Sequence, residues 1–485
     1  MSIDNKDVLY VGFGEADITP ADKIVELSGQ YYQRVATGIH SQLKTCVLIL
    51  KQHNECSVMI TLDVVGVPED YCARIQKSIA KKFPGITEDK IIINAIHTHN
   101  APGLRIGRNW WKPDTATMKI EEYQDLVDKQ IIAAVKQAWK SLRPGGISNI
   151  MDYARIGHCR RAVYSNEKAE MYGRTDRDDF VGMEGGEDSI VDLLFFFAEN
   201  KKPIGVIVNV VCPSQVMEAT YKISSDFMGA LREKLKIEFG SEFVTVAQIS
   251  AAGCQSPRDL IRQKDSSFWS EEGVEVLSER LLNTVRRAYP ASVESIRYNE
   301  FMKHSVRKLG LPSRRASYAD YVAAKNEIPR LEALQDSATA FEVFCAEIHT
   351  NEKIPGRPGP YDSKLHHFVQ IRNCEAIIKR YETQNTEPDF IMYLHILRLG
   401  DVVFASNPFE LYLEFGQCMK ARSLAGQTFV VQLANGVGGY LPSKRAEELG
   451  GYGGEIINGI VGADGGRMLV DETVSDIRKM FESSC

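Results

Sequence analysis

The chain has 485 residues, of which 44% are hydrophobic and 25% charged, and a formal net charge of -6. That make-up belongs to an ordinary globular protein and argues against a disordered one. Lys and Arg are scattered with no basic block, so nucleic acid is not an expected partner. No apolar run reaches the length of a membrane span, and the opening MSIDNKDVLYVGFGEADITP lacks an apolar signal stretch. The ten cysteines are dispersed singly with no CxxC pair, which fits a reducing compartment, so a cytoplasmic enzyme is expected.

In chain order, short apolar runs at 46–50, 58–62, 91–96, 191–198, 204–211 and 243–249 read as strands. Longer amphipathic runs at 71–82, 120–142, 226–239 and 270–288 read as helices. Within the second of these, Tyr123, Val127, Ile131 and Val135 fall on one face. The segment 305–388 is more charged. It predicts helices at 318–334 and 364–381, separated by the polar loop EIHTNEKIPGRPGPYD, and reads as an inserted lid or arm. Strand-like runs return at 391–397, 402–405 and 429–433, and an amphipathic helix covers 465–481. No internal repeat is visible. The alternation predicts an α/β fold, a layered mixed sheet with flanking helices, built as one catalytic domain over 1–485 with the 305–388 insertion.

Chemistry-bearing residues collect at the ends of these strands, where ligands of α/β sheets bind. IIINAIHTHNAPG ends a strand with His97 and His99, which on an extended chain project to the same face and suit metal ligation or proton transfer. NVVCPSQVME places Cys212 at a strand end, and QISAAGCQSPRD places Ser256 in a small-residue turn. SNPFELYLEFG puts Glu410 at the start of a helix, and LANGVGGYLPSKRAEELGGYGGE presents Tyr440 and Tyr452 among glycines. Each has a plain alternative: a buried inert thiol, a turn serine, a helix-start carboxylate, or a loop shaped by glycine.

Together and in order, VGFGEADITP, TGIHSQL, TLDVVG, AIHTHNAPG, CRRAVYSN, NVVCPSQ, AAGCQSPRD, NPFELY and NGVGGY make the sequence resemble the neutral (non-lysosomal) ceramidase family. The resemblance runs from residue 11 to residue 440. It implies a zinc-dependent amidase in which His97, Glu410 and Tyr440 hold the metal. It further implies that His99 acts on the substrate, that Arg160 or its neighbour Arg161 is the active-site arginine, and that Ser256 and Tyr452 are catalytic. Where the family has its second zinc histidine, this chain has Cys212, the expected replacement ligand, since thiolate binds zinc well. The residues before the SP motif are Cys254 and Gln255, and the expectation is a member without the family's C-terminal immunoglobulin-like domain.

Zinc accepts imidazole, carboxylate and phenolate and lowers the pKa of a water toward neutrality. The expected function is therefore metal-dependent hydrolysis of an amide or related bond in a small polar substrate, a sugar or an N-acyl compound. LRIGRNWWKPDT, with Arg105 and Arg108 beside Trp110 and Trp111, suits such a ligand. Acid–base cleavage or rearrangement of a glycoside, and a non-catalytic binding protein with a degenerate metal site, stand as alternatives. The insertion is also a candidate arm for a homo-oligomer.

Overall fold

A computed structural model describes residues 8–30, 33–106, 116–262, 268–351, 367–386 and 389–482. Arg108, Trp110, Trp111 and the first residues of the 364–381 helix lie outside the described residues.

The chain builds one arrangement three times. The first unit consists of β1 (Tyr10–Asp17), β2 (Lys44–Gln52), β3 (Glu55–Leu62), helix α1 (Glu69–Lys82) and β4 (Ile91–Ala95), followed by helix α2 (Ile120–Lys140). β1 pairs with β2 and β2 with β3 antiparallel, whereas β3 and β4 run parallel across the α1 crossover. The second unit repeats this with β5 (Arg143–Tyr153), β6 (Ile190–Ala198), β7 (Pro203–Val210), α3 (Asp226–Phe239) and β8 (Val244–Ile249), followed by α4 (Glu271–Glu294). The third unit begins with β9 (Met302–Leu311). Helices α5 (Tyr318–Leu334), α6 (Ser337–Asn351) and α7 (His367–Thr383) then leave the sheet, and β10 (Phe390–Leu399) returns in register, Leu311 opposite Phe390. It closes with β11 (Val402–Ser406), α8 (Leu413–Arg422) and β12 (Gln427–Val431), then α9 (Lys444–Leu449) and α10 (Ala463–Glu482).

The first two units join through β1 and β5 into one sheet, and the third unit forms its own. Strand alternation assigns each side chain to a layer. On β2, Val47 and Ile49 face α2, packing with Ile131 and Val135. Cys46, Leu48 and Leu50 face inward to Leu194, Phe196 and Ile207 of the second unit and Leu397 and Phe404 of the third. On β6, Leu193, Phe195 and Phe197 pack with Phe227 and Leu231 of α3 and Leu281 of α4. The large sheet thus folds over on itself, and the Thr61 hydroxyl and Asn94 amide both donate to the Ala247 carbonyl, at 3.0 and 3.2 Å.

Strand β1 was not among the expected strands, because Gly12 and Gly14 interrupt its apolar pattern. Their reason is contact: a Cβ at Gly12 would lie 2.1 Å from the Ala138 carbonyl oxygen of α2, and one at Gly14 2.0 Å from that of Ala134. The two glycines let the helix backbone rest on the strand. β5 was also missed, since RPGGISNIMDY opens like a turn. In the insertion, α6 runs into the segment expected as polar loop. Ala340 and Phe344 of α6 form a small core with Phe368 and Val369 of α7.

A buried polar relay ties the first and third units. Asn435 Oδ1 accepts the Ile93 N–H at 2.8 Å, so its amide nitrogen is the group that meets His395 Nε2 at 2.9 Å. His395 Nδ1 then donates to His304 Nε2 at 3.2 Å, and His304 Nδ1 to the Ser57 hydroxyl at 2.9 Å. Every nitrogen is satisfied with both rings neutral. Among the described residues no helix is long and apolar enough to cross a membrane.

Candidate active site

The three parallel pairs, β3/β4, β7/β8 and β11/β12, send their carboxyl ends to one place, and each unit contributes there. Val65 and His97 follow β3 and β4. Gln215, Glu218 and Gly253 follow β7 and β8. Glu410 and Tyr440 follow β11 and β12.

His97 and His99 do meet, though not by strand alternation as expected. β4 ends at Ala95, and His97 takes a left-handed backbone with φ +61°. The turn sets His97 Nε2 3.3 Å from His99 Nε2. His97 Nδ1 lies 2.7 Å from the Val65 carbonyl, which only accepts, so Nδ1 carries the hydrogen and Nε2 the lone pair. Burial holds the His97 pKa down to about 4, against the pull of the Glu410 carboxylate 3.6 Å away.

Glu410 does not begin a helix. Its N–H is committed to the Gly439 carbonyl at 2.9 Å, and Glu410–Leu411 pairs in parallel with Tyr440–Leu441; α8 starts only at Leu413. The ladder makes Glu410 and Tyr440 neighbours.

The two arginines diverge. Arg160 Nη2 donates to the Gly253 carbonyl at 2.9 Å and to the Tyr440 hydroxyl at 3.2 Å, and lies 3.8 Å from Glu410. Its Nη1 donates to the Tyr172 hydroxyl at 3.2 Å. Burial opposes the Arg160 charge, but Tyr440, Tyr172 and Glu410 more than offset it and hold the guanidinium protonated. Arg161 points away and grips the loop that carries Tyr452.

A cavity of about 860 Å³ opens over these groups, within the range of small-molecule sites. His97, His99, Glu410, Tyr440 and Tyr452 form one wall, with the two tyrosine rings edge to face at 5.4 Å. Val25, Leu27, Leu104, Ile106 and Ile120 give an apolar flank, and Glu26, Arg105, Lys119 and Glu121 are its charged members.

Three sequence candidates lie off this wall. Arg160 stands behind Glu410 and Tyr440. Ser256 is buried opposite His158 and hydrogen-bonded to Tyr172, which also takes a 2.7 Å bond from Gln215. Cys212 is fully buried in the core under α3, its thiol 3.4 Å from the Ile156 carbonyl, and burial pushes its pKa well up. That environment disfavours the thiolate a metal would need.

Sequence reasoning missed Glu218, whose carboxylate lies 3.2 Å from His99 Nδ1, and Tyr172, the hub between Arg160 and Ser256. It also missed Gly29, at φ +101°, where a Cβ would lie 2.7 Å from the His99 ring. Glu218 stood within the quoted NVVCPSQVME, but nothing in the residue pattern singled it out.

Among the described residues no three His, Cys, Asp or Glu side chains group as a metal site. The donors that do converge are the Nε2 lone pair of His97, the Glu410 carboxylate and the Tyr440 phenol. Their chemistry fits the nitrogen and oxygen preference of zinc.

Comparison with known proteins bears on this arrangement. The neutral/alkaline non-lysosomal ceramidase N-terminal family profile matches residues 9–258. Among solved structures, the chain resembles a neutral ceramidase from Pseudomonas aeruginosa, with 16% identity, a TM-score of 0.66, and coverage of 97% of this chain and 75% of that one. A ceramidase complexed with C2 gives the same identity and TM-score, covering 97% and 76%. No curated protein matches. With over half its length matched by the family profile, the chain belongs to the neutral/alkaline non-lysosomal ceramidase family and is a hydrolase.

Proposed function

We propose that the chain hydrolyses the amide bond of an N-acyl compound with a polar head, using a zinc ion held by His97, Glu410 and Tyr440. The observation that carries this reading is the His97 tautomer: the Val65 carbonyl fixes the hydrogen on Nδ1, leaving a buried lone pair 3.6 Å from the Glu410 carboxylate. When bound, zinc lowers the pKa of a water and polarises a carbonyl.

The remaining roles belong to the chain's own residues. His99, backed at Nδ1 by Glu218, delivers a proton to the leaving amine from Nε2. The Tyr452 phenol, on the same wall as Tyr440, donates to the carbonyl oxygen as charge develops on it. Arg160 works through Tyr440 and Glu410, setting its fixed positive charge and hydrogen bond behind them. The apolar flank takes the acyl group, and Glu26, Arg105 and Lys119 take the head. Ser256 supports Arg160 through Tyr172.

The test is amine release from a panel of N-acyl sphingoid bases, N-acyl amino acids and N-acetylated sugars, with zinc-loaded and chelator-treated protein. The reading expects zinc-dependent release that falls at least about a hundredfold in Glu410→Gln, as loss of a metal ligand would cause. No hydrolysis of any compound by the zinc-loaded protein overturns it.

A further inference from the structure

Arg161 is fully buried, and each edge of its guanidinium has a partner. Nε donates to Glu184 Oε2 at 2.6 Å, Nη2 to the Gly450 carbonyl at 2.6 Å, and Nη1 to the Tyr452 carbonyl. The Glu184 N–H donates in turn to the Arg161 carbonyl at 2.9 Å, so the pair is joined by backbone as well as side chain.

The two gripped carbonyls belong to a segment with no helix or strand of its own. It follows α9, and its glycines 450, 451 and 453 take φ of +66°, +72° and +86°. Glycine gives a chain the widest conformational choice, and such a segment left alone would sample many positions. Here it is fitted closely: a Cβ at Gly451 would fall 2.0 Å from the Ala169 carbonyl oxygen, and one at Gly454 3.0 Å from Arg161 Nη2. The Tyr452 ring stands on this segment, edge-on to Tyr440.

We propose that Arg161, oriented by Glu184, is a positioning residue that sets where the Tyr452 phenol stands at the cavity wall. A planar fork bonded at three places holds both carbonyls at once, which the single point charge of lysine does not. The inference rests on the reading of Tyr452 as a participant in hydrolysis only for its kinetic arm.

The variants are Arg161→Lys and the isosteric Glu184→Gln, each compared with wild type by hydrogen–deuterium exchange. The expected result is exchange about tenfold faster in peptides covering 449–455, with β4, β8 and β12 unchanged, as for loss of a charge-assisted bond in one local unit. Unchanged exchange in that segment for both variants, or acceleration spread evenly through the core, overturns the proposal. In kinetics, Arg161→Lys lowers kcat about tenfold with KM nearly constant, and adds no further loss to Tyr452→Phe, because both act through one group. Additive losses overturn it. If wild type shows no amide hydrolysis, the functional reading fails while the exchange result still decides the clamp.

Discussion

Glu410 and Tyr440 are register partners in a two-residue parallel ladder, and Arg160 Nη2 lies 3.8 Å from the first and 3.2 Å from the second. The ladder couples two strand ends of the third unit and sets a carboxylate 3.6 Å from the His97 lone pair with a phenol beside it. Zinc content should therefore follow these three residues. Elemental analysis is expected to show near-stoichiometric zinc in wild type, and its loss in His97→Ala and Glu410→Gln. Cys212→Ala should keep its zinc and lose about 1 kcal/mol of stability, a typical core truncation. Zinc lost from Cys212→Ala at unchanged stability would return the thiol to the ligand set.

Ser256 and Arg160 should separate in kinetics. Because Ser256 reaches the site only through Tyr172, Ser256→Ala is expected to keep kcat/KM within about tenfold, the lower range for an outer-shell loss. Arg160→Met leaves Tyr440 and Glu410 without their cation and should cost about a hundredfold or more. A Ser256→Ala variant as dead as Arg160→Met would restore the serine as a reacting group.

Glu218 and Gly29 hold His99 from two sides. Glu218→Gln should lower kcat by about 10–100-fold with little change in stability, as the loss of a carboxylate behind a working imidazole does. Gly29→Ala combines a left-handed backbone with a Cβ 2.7 Å from the ring, and should both destabilise the protein and lower kcat. Wild-type kcat in both variants would remove His99 from the mechanism.

The buried relay makes His304 and His395, with His97 at the site, contributors to acid stability. Burial holds His395 down to about 4 from an ordinary 6.5, and His304 well below that value. The unfolded chain therefore binds these protons first. Their contribution is fully present above pH 6.5 and is lost as pH falls toward 4. Urea unfolding of metal-free protein at pH 7, 5.5 and 4.5 should show this decline, and the double variant His304→Gln/His395→Gln should make it shallower, His97 supplying the remainder. An equally steep decline in the double variant would place the acid sensitivity elsewhere.

The legible parts of the molecule were those in which a local pattern decides. The strand around Val58–Leu62 and the helix of Tyr123, Val127 and Ile131 follow from apolar periodicity, which burial then enforces. β1 escaped because its glycines answer to a helix more than a hundred residues away, a contact that no window of sequence contains. At the site, ordered motifs pointed to His97, His99, Glu410, Tyr440 and Tyr452, and these share one wall. Cys212 sits at the right strand end with its side chain turned into the core, and a position in sequence carries no side-chain direction. Glu218 was hidden for the opposite reason: acidic residues are common, and only the fold reveals which one faces an imidazole.

The threefold repetition of the strand and helix pattern has a consequence for how such a centre arises. No unit holds the whole candidate set of groups: the first supplies the histidines, the second the arginine and its supports, the third the carboxylate and phenols. On the proposed reading the chemistry is owned by the junction. A fragment comprising any two units would lack one share of the candidate groups and leave part of the common inward core uncovered. Reshaping the end loops of a single unit would alter that unit's contribution while the other two stay in place. A scaffold of this kind lends itself to changing its reaction one third at a time.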